Sequence, residues 1–274
     1  MDIKAFKMDG LGNDFVIIDQ RSQNYNLTKD QIIKICDRNF IGCDQLIFIQ
    51  KSNEKDAGLE FYNSDGSISG ACGNGTRCVA DLLSKENNDK EIILWTNSGA
   101  LKSQILGNNL VETEIGIAKT NWKEIPLNKN LDTKNLNIKI VNKNNIEHIG
   151  GTSVNVGNPH IVFFVDNIED YDLKKIGPEI ENHNYFPEKC NVTLAKVISK
   201  KLIKVKVWER GAGLTKACGT AACATAVAAN INGLIDKKTD IEFALGKLSI
   251  TIDQGNSIHM KGPVSDITNI EINI

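Results

Sequence analysis

Short runs of β-branched and aromatic residues recur along the chain, separated by turn residues. FVIID at 15–19, DQLIFI at 44–49, EIILWT at 91–96, IVFFVD at 161–166, KLIKVKVWE at 201–209 and KLSITI at 247–252 each predict a strand. TKDQIIKICDRN at 28–39 has helical spacing instead, as do the stretches that follow the two ACG triplets at 71–73 and 217–219. The pattern predicts an α+β fold. Residues 121–151 are dense in Lys, Asn and Ile, and their periodicity is weak. They read as a crossing between domains.

The two ACG segments, SGACGNGTRCVADLL at 69–83 and TKACGTAACATAVAANI at 215–231, put Cys72 and Cys218 146 positions apart. Gln45 and Asn191, Asn63 and Glu209, and Gly116 and Gly262 keep the same offset of 146, while Asn13 and Asn158 differ by 145. A nearly constant offset across so many anchors implies a duplicated unit of about 115 residues. The expected domains are residues 1–117 and 118–262, the second a repeat of the first, with 263–274 packing back on the first.

Composition narrows the function. Of 274 residues, 41% are hydrophobic and 24% charged, the balance of a globular chain, and the formal net charge is −2. Neither sign collects into a run suited to a phosphate backbone or a membrane surface, so no nucleic acid and no membrane is expected as a partner. The N-terminus lacks the layout of a secretion signal and no apolar run is long enough to span a bilayer, which predicts a cytoplasmic protein. Seven Cys, an odd number, then argue for reduced thiols. The spacings Cys36 to Cys43, Cys72 to Cys78 and Cys218 to Cys223 contain no C-x-x-C, so no metal is expected. Cys36, Cys43, Cys78, Cys190 and Cys223 read as small buried apolar side chains.

Cys72 and Cys218 differ from these because each stands where a helix begins. If the two halves pack about a pseudo-two-fold axis, the pair approaches one cleft from opposite sides. Unpaired N–H groups and the positive end of the helix dipole should favour thiolate and lower the thiol pKa. The same N–H groups suit a carboxylate, and Gly73, Asn74, Gly75, Gly219 and Thr220 would let a ligand come close to the backbone. Two opposed thiols and an anion cradle fit inversion of a carbon acid, in which one group removes hydrogen from one face and the other delivers it to the opposite face. The two protonation states would be coupled. No cofactor is implied, and nothing marks a Schiff-base Lys.

GLGNDFVIID, NSDGSISGACGNGTRC, VGNPHIVF, WERGAGLTKACGT and the terminal MKGP together resemble the diaminopimelate epimerase family, in its order and over essentially the whole chain. The resemblance implies two similar pseudo-symmetric α+β domains, each a β-sheet roll around a central helix. It also implies cofactor-independent interconversion of LL- and meso-2,6-diaminopimelate on the route to lysine and peptidoglycan. Cys72 and Cys218 match the catalytic pair. Gly73, Asn74, Gly219 and Thr220 match the residues that hold the reacting carboxylate. Asn63, Asn158, Asn191 and Arg210 match the grip on the distal end, with Arg210 a fork for its carboxylate. Asn13 and Gln45 match further substrate contacts, and His160 and Glu209 match polar groups near the thiols. The implied partners are the small-molecule substrate and, at most, a second copy of the chain in a homodimer.

Plainer roles compete. His160 after Asn-Pro suits an ordinary loop, Asn63 and Asn158 suit turns, and Arg210 suits a local ion pair with Glu209. The chain departs from the family at ISGA (Ile68 to Ala71), at Leu214 where Glu is common, and at Ala221 where Gly is common. Two alternatives therefore stand beside this reading: a racemase of another amino acid, of the proline racemase type, and a non-catalytic binding protein on the same duplicated fold.

Overall fold

Apolar runs that do not alternate, such as FVII and LIFI, belong to strands covered on both faces. The computed structural model, which describes residues 2–274 except Glu54, Ala71 and Ser98, shows what covers them. The chain divides into two compact units, Met1–Glu114 with Lys261–Ile274, and Ile115–Met260.

The first unit contains β1 (Asp2–Gly10), β2 (Asn13–Asp19), α1 (Lys29–Cys36), β3 (Gln45–Gln50), β4 (Ala57–Asn63), β5 (Ile68–Ser69), α2 (Gly73–Asn87), β6 (Glu91–Thr96), β7 (Gly99–Gly107) and the first five residues of β8 (Leu110–Ile117). Phe15, Ile17, Ile47 and Ile49 pack on Cys78, Val79, Leu82 and Leu83 of α2. Their neighbours Val16, Ile18, Leu46 and Phe48 pack on Ile32 and Ile35 of α1. Successive side chains on a strand point to opposite faces, so two helices on two faces require this unbroken apolar sequence. Gly73 to Leu83 are all buried, and α2 runs through the interior of the unit.

The second unit contains β9 (Ile138–Val141), β10 (Glu147–Gly150), β11 (Thr152–Asn155), β12 (Pro159–Phe164), α3 (Leu173–Glu181), β13 (Asn191–Ser199), β14 (Leu202–Glu209), β15 (Gly213–Thr215), α4 (Gly219–Ile231), β16 (Lys238–Phe243) and β17 (Gly246–Ile252). The chain then passes along β18 (Ser257–Pro263) to β19 (Thr268–Asn273), which pairs antiparallel with β1, Asp2 opposite Asn273. Ile176 and Ile180 of α3 cover Ile161, Phe163, Val192 and Leu194. Ten of the thirteen α4 residues are buried, from Gly219 to Ala229. A helix apolar all round belongs inside a fold. Among the described residues, no helix is long and apolar enough to cross a membrane.

The two units repeat one ladder. β2 and β3 are parallel with Phe15 opposite Gln45, and β12 and β13 are parallel with His160 opposite Asn191. Phe61 faces Ser69 across β4 and β5, as Val207 faces Thr215 across β14 and β15. Glu91 faces Gln104, as Lys238 faces Thr251. Counterparts in these pairs lie 145 to 147 positions apart, so the register is duplicated along with the sequence.

The Asn-rich segment at 121–151 corrects an expectation. It lies within the second unit, and its Ile125, Leu127, Leu136, Ile138 and Ile140 are core residues. Its asparagines make turns: the Asn121, Asn135 and Asn142 side chains each accept from a backbone N–H two residues on, and Asn137 and Asn145 adopt positive φ. Turn chemistry concentrated in this way hides the hydrophobic pattern between the turns.

In this unit α3 comes so near β14 at Gly177 that an added Cβ would overlap Cγ and Cδ2 of Trp208. The indole cannot easily yield, because its Nε1 donates to Glu181 Oε2 at 2.7 Å. Overpacking costs about 1–3 kcal/mol, while Ala for Gly in a helix gains about 0.5–1 kcal/mol. Gly177→Ala is therefore expected to destabilise the protein by about 1–2 kcal/mol net, read as a lower denaturant midpoint. An unchanged or raised midpoint would contradict this packing.

Candidate active site

Cys72 and Cys218 occupy the same place in each unit. Each is the N-cap of the interior helix, with φ −138° and ψ 111° at Cys72, and φ −144° and ψ 116° at Cys218. Intrahelical bonding begins with Thr76 N–H to the Cys72 carbonyl (2.8 Å) and Ala222 N–H to the Cys218 carbonyl (3.0 Å). The N–H groups of the three residues before each donor therefore have no carbonyl within the helix. An N-cap is normally Ser, Thr, Asp or Asn, whose side chain bonds such groups. With Cys there, neither helix start carries a side-chain cap.

In the first unit Cys72 Sγ lies 3.7 Å from Asn13 Oδ1, and Asn74 Nδ2 donates to the same oxygen at 3.2 Å. Both amides are held in orientation. Arg77 Nη2 donates to Asn74 Oδ1 at 2.9 Å, and Asn13 Nδ2 donates to Asp44 Oδ2 at 3.0 Å. Asp44 is tied in turn by Arg38, which also grips Asp14 with both Nη atoms. Beside this network Gln45 Nε2 donates to Asn63 Oδ1 at 2.9 Å, and Asn63 Nδ2 donates to Ser67 Oγ at 3.0 Å, closing the turn into β5. Gly75 serves packing, because a Cβ there would come within 2.7 Å of Ile47 and 2.9 Å of Phe61.

In the second unit Asn191 is the centre. Its Nδ2 donates to the Pro159 carbonyl at 3.1 Å, and its Oδ1 accepts from Arg210 N–H at 2.9 Å. His160 Nε2 lies 2.8 Å from Asn158 Oδ1 and 3.4 Å from Asn191 Nδ2, so both amides bear on the same ring nitrogen. Burial, and then the nearby Arg210 charge, lower the His160 pKa to about 3, so the ring is neutral. Arg210 Nη1 donates to the Glu188 carbonyl at 2.7 Å. Glu181 braces the loop from below, accepting from Trp208 Nε1 and, at 3.1 Å, from Gly211 N–H.

The expected lowering of both thiol pKa values is corrected at Cys218. Burial, followed by the Glu209 carboxylate, pushes this thiol well above its usual range, against the opposing pull of the Thr220 hydroxyl, 3.4 Å from Sγ, and of Ala221 N–H. A thiolate would have to form in a dry site beside a like charge, which outweighs the helix end. Cys72 is partly exposed, whereas Cys218 is 5% exposed.

The sequence-predicted residues thus form compact groups in each unit: Cys72, Gly73, Asn74 and Asn13 with Gln45 and Asn63 alongside, then Cys218, Gly219, Thr220 and Glu209, and Asn158, His160, Asn191 and Arg210. Sequence reasoning passed over Asp44, Arg77 and Glu181. Arg77, 0% exposed on an interior helix, left a signal in GNGTRC, a charge amid small and apolar residues. Of the departures from the family pattern, Ile68 and Leu214 are exposed equivalents on β5 and β15, Ala221 is buried, and Ala71 lies outside the described residues.

Comparison with known proteins identifies the family. The family model described as diaminopimelate epimerase matches residues 5–121 and 152–267. The chain is 77% identical over 274 residues to a diaminopimelate epimerase of Pelagibacter ubique (strain HTCC1062), covering 100% of both chains. It is 40% identical over 260 residues to that of Acidiphilium cryptum (strain JF-5), covering 94% of this chain and 92% of the other. Among solved structures, a predicted epimerase from Pseudomonas aeruginosa superposes with a TM-score of 0.71 at 13% identity, covering 99% of each chain. A probable proline racemase from Agrobacterium radiobacter K84 does so with 0.69 at 10% identity, covering 99% of this chain and 93% of the other; these two likenesses bear on the fold. By sequence and by the duplicated fold that presents its two cysteines, the chain belongs to the diaminopimelate epimerase family.

Proposed function

We propose that this protein interconverts LL- and meso-2,6-diaminopimelate with Cys72 and Cys218 as its two acid–base groups, one for each face of the reacting carbon. The observation that carries the reading is the placement of a thiol at the N-cap of each interior helix, with matching backbone angles, in a family named for this epimerisation. One thiolate takes the α-hydrogen as a proton. The electron pair left on carbon spreads into the adjacent carboxylate, where helix-end N–H groups from Gly73 and Asn74, or Gly219 and Thr220, stabilise the growing charge. The opposite thiol then gives its proton to the other face, and the two groups have exchanged roles.

In this reading Cys218, held protonated by burial and Glu209, is the acid of the first turnover, and Cys72 gives up the proton it directs at Asn13 Oδ1 before it serves as the base. Asn13 presents its oxygen to Cys72 and stabilises that thiol when it is protonated in the return direction. His160 stays neutral and shapes the site through Asn158 and Asn191 without carrying the proton. Arg210 gives one N–H to Glu188, and the remaining donors of its fork suit the distal carboxylate, with Asn63, Asn158 and Asn191 around the distal ammonium. The enzyme works in the cytoplasm on a small molecule, without nucleic acid or membrane and without a cofactor, alone or as a homodimer. A proline racemase activity is disfavoured because proline has no second amino-acid end for Arg210 to grip.

The direct test is turnover of LL-diaminopimelate by the purified chain, followed by chiral separation. Cys72→Ala and Cys218→Ala should each lose inversion by at least about a thousandfold, within the usual range for removing a positioned acid or base. A variant that keeps inverting would refute the assignment of that thiol.

Arg210→Lys retains charge but loses the planar fork. We expect kcat/KM for diaminopimelate to fall by about 10- to 100-fold, the worth of one charged hydrogen bond. Parent-like kinetics would assign Arg210 to the Glu188 loop alone.

A further inference from the structure

Cys36 and Cys43 are separated by seven positions, too far for a C-x-x-C motif, yet their sulfurs lie 3.5 Å apart. The turn after α1 makes the contact. Gly42, at φ +77° and so tight against Arg38 that a Cβ would come within 2.9 Å of its Cα, donates to the Ile35 carbonyl at 3.0 Å, and Cys43 N–H donates to the Cys36 carbonyl at 3.2 Å. The two residues are thereby set side by side, with Cys43 S–H directed at Cys36 Sγ. Disulfide sulfurs are about 2.05 Å apart, so a bond here needs a closure of about 1.5 Å.

Both thiols line a cavity of about 380 Å³, together with Ile33, Asp37, Arg38 and Asp44, which gives a small oxidant a route to otherwise buried sulfur. The chemistry of the pair is divided. Cys36 is shifted toward thiolate, first by the hydrogen bond from Cys43 and, against the cost of burial, by the Arg38 charge; Cys43 is shifted up, first by that same bond to Cys36 and then by burial. A nucleophilic thiolate next to a resolving thiol is the arrangement of a reversible redox pair.

We propose that Cys36 and Cys43 are a redox-active dithiol that a hydroperoxide converts to a disulfide, and that this bridge weakens substrate binding. In the first step the Cys36 thiolate attacks a peroxide oxygen, giving Cys36 sulfenic acid and hydroxide. In the second the Cys43 sulfur displaces the sulfenic oxygen as water and forms the S–S bond. The sum is two thiols and one hydrogen peroxide to one disulfide and two waters. The link to the site is the next residue in the chain, because Asp44 holds Asn13 at 3.0 Å and Asn13 faces Cys72. Drawing Cys43 toward Cys36 pulls Asp44 away from that bond. This second part rests on the functional reading given above.

The test uses the full chain carrying Cys72→Ala and Cys218→Ala, so that oxidation of the catalytic thiols does not contribute. After treatment with hydrogen peroxide, a tryptic digest without reduction should contain ICDR (35–38) joined to NFIGCDQLIFIQK (39–51), separable with dithiothreitol, and titratable thiols should fall by two. Calorimetric affinity for diaminopimelate should drop about three- to tenfold in the bridged protein, as for a weakened hydrogen bond, and recover on reduction. Absence of the joined peptide, or Cys36 found as sulfinic acid, overturns the redox pair. A bridge with unchanged affinity overturns its link to the site. If neither form binds diaminopimelate, the functional reading fails and the bridge stands. Should the double variant fold poorly, the same digest of the intact chain, with Cys43→Ala as control, reads the bridge.

Discussion

Burying most of a helix inside a wrap of strands is the constraint on which the rest of this structure depends. A helix so placed has no polar face to turn to water, which accounts for the small-residue run of α4 and for the glycine at position 75, where a single added carbon would strike Ile47 and Phe61. Packing fixes where the helix begins, and the N-cap is thereby fixed too. Putting Cys at that position removes the usual side-chain cap and sets a sulfur beside the first N–H groups of the helix, of which Ala221 N–H bears on Cys218. In this way the requirements of the core locate the chemistry.

Duplication repeats the constraint while leaving the surroundings of each sulfur free to diverge. Backbone angles at the two cysteines agree to within several degrees. Cys72 meets an amide oxygen held by Asp44 and, through Asn74, by Arg77, whereas Cys218 meets the carboxylate of Glu209 in a drier place. Asn63 and Glu209 are counterparts in the repeat, so the charge that adds to the effect of burial on Cys218 comes from a position that is neutral in the first half.

Much of this was legible in the sequence. Strands covered on both faces leave unbroken apolar runs, and a duplication without large insertions leaves a constant offset, so the duplicated α+β design and the place of Cys72 and Cys218 at helix starts could be read directly. Residues 121–151 were misread because Asn at positive φ and in side-chain turns masks the hydrophobic positions between turns. Arg77, Asp44 and Glu181 escaped notice because each acts on a partner selected by three-dimensional packing or by its own burial. The protonation of Cys218 was misjudged for a related reason: a helix end is visible in sequence, but the burial and the strand that bring Glu209 against it are not. Cys36 and Cys43 meet only because the chain doubles back at Gly42.

The central claim is that two groups, one on each face, move the hydrogen. Reaction in deuterated water, stopped early and analysed by mass spectrometry of the separated isomers, tests it most directly. A hydrogen removed by one thiol cannot be returned by the other, which has already exchanged with solvent. The account predicts deuterium at the inverted carbon of the product and almost none in recovered starting material, from either isomer. Product that retains the substrate's own hydrogen would contradict it.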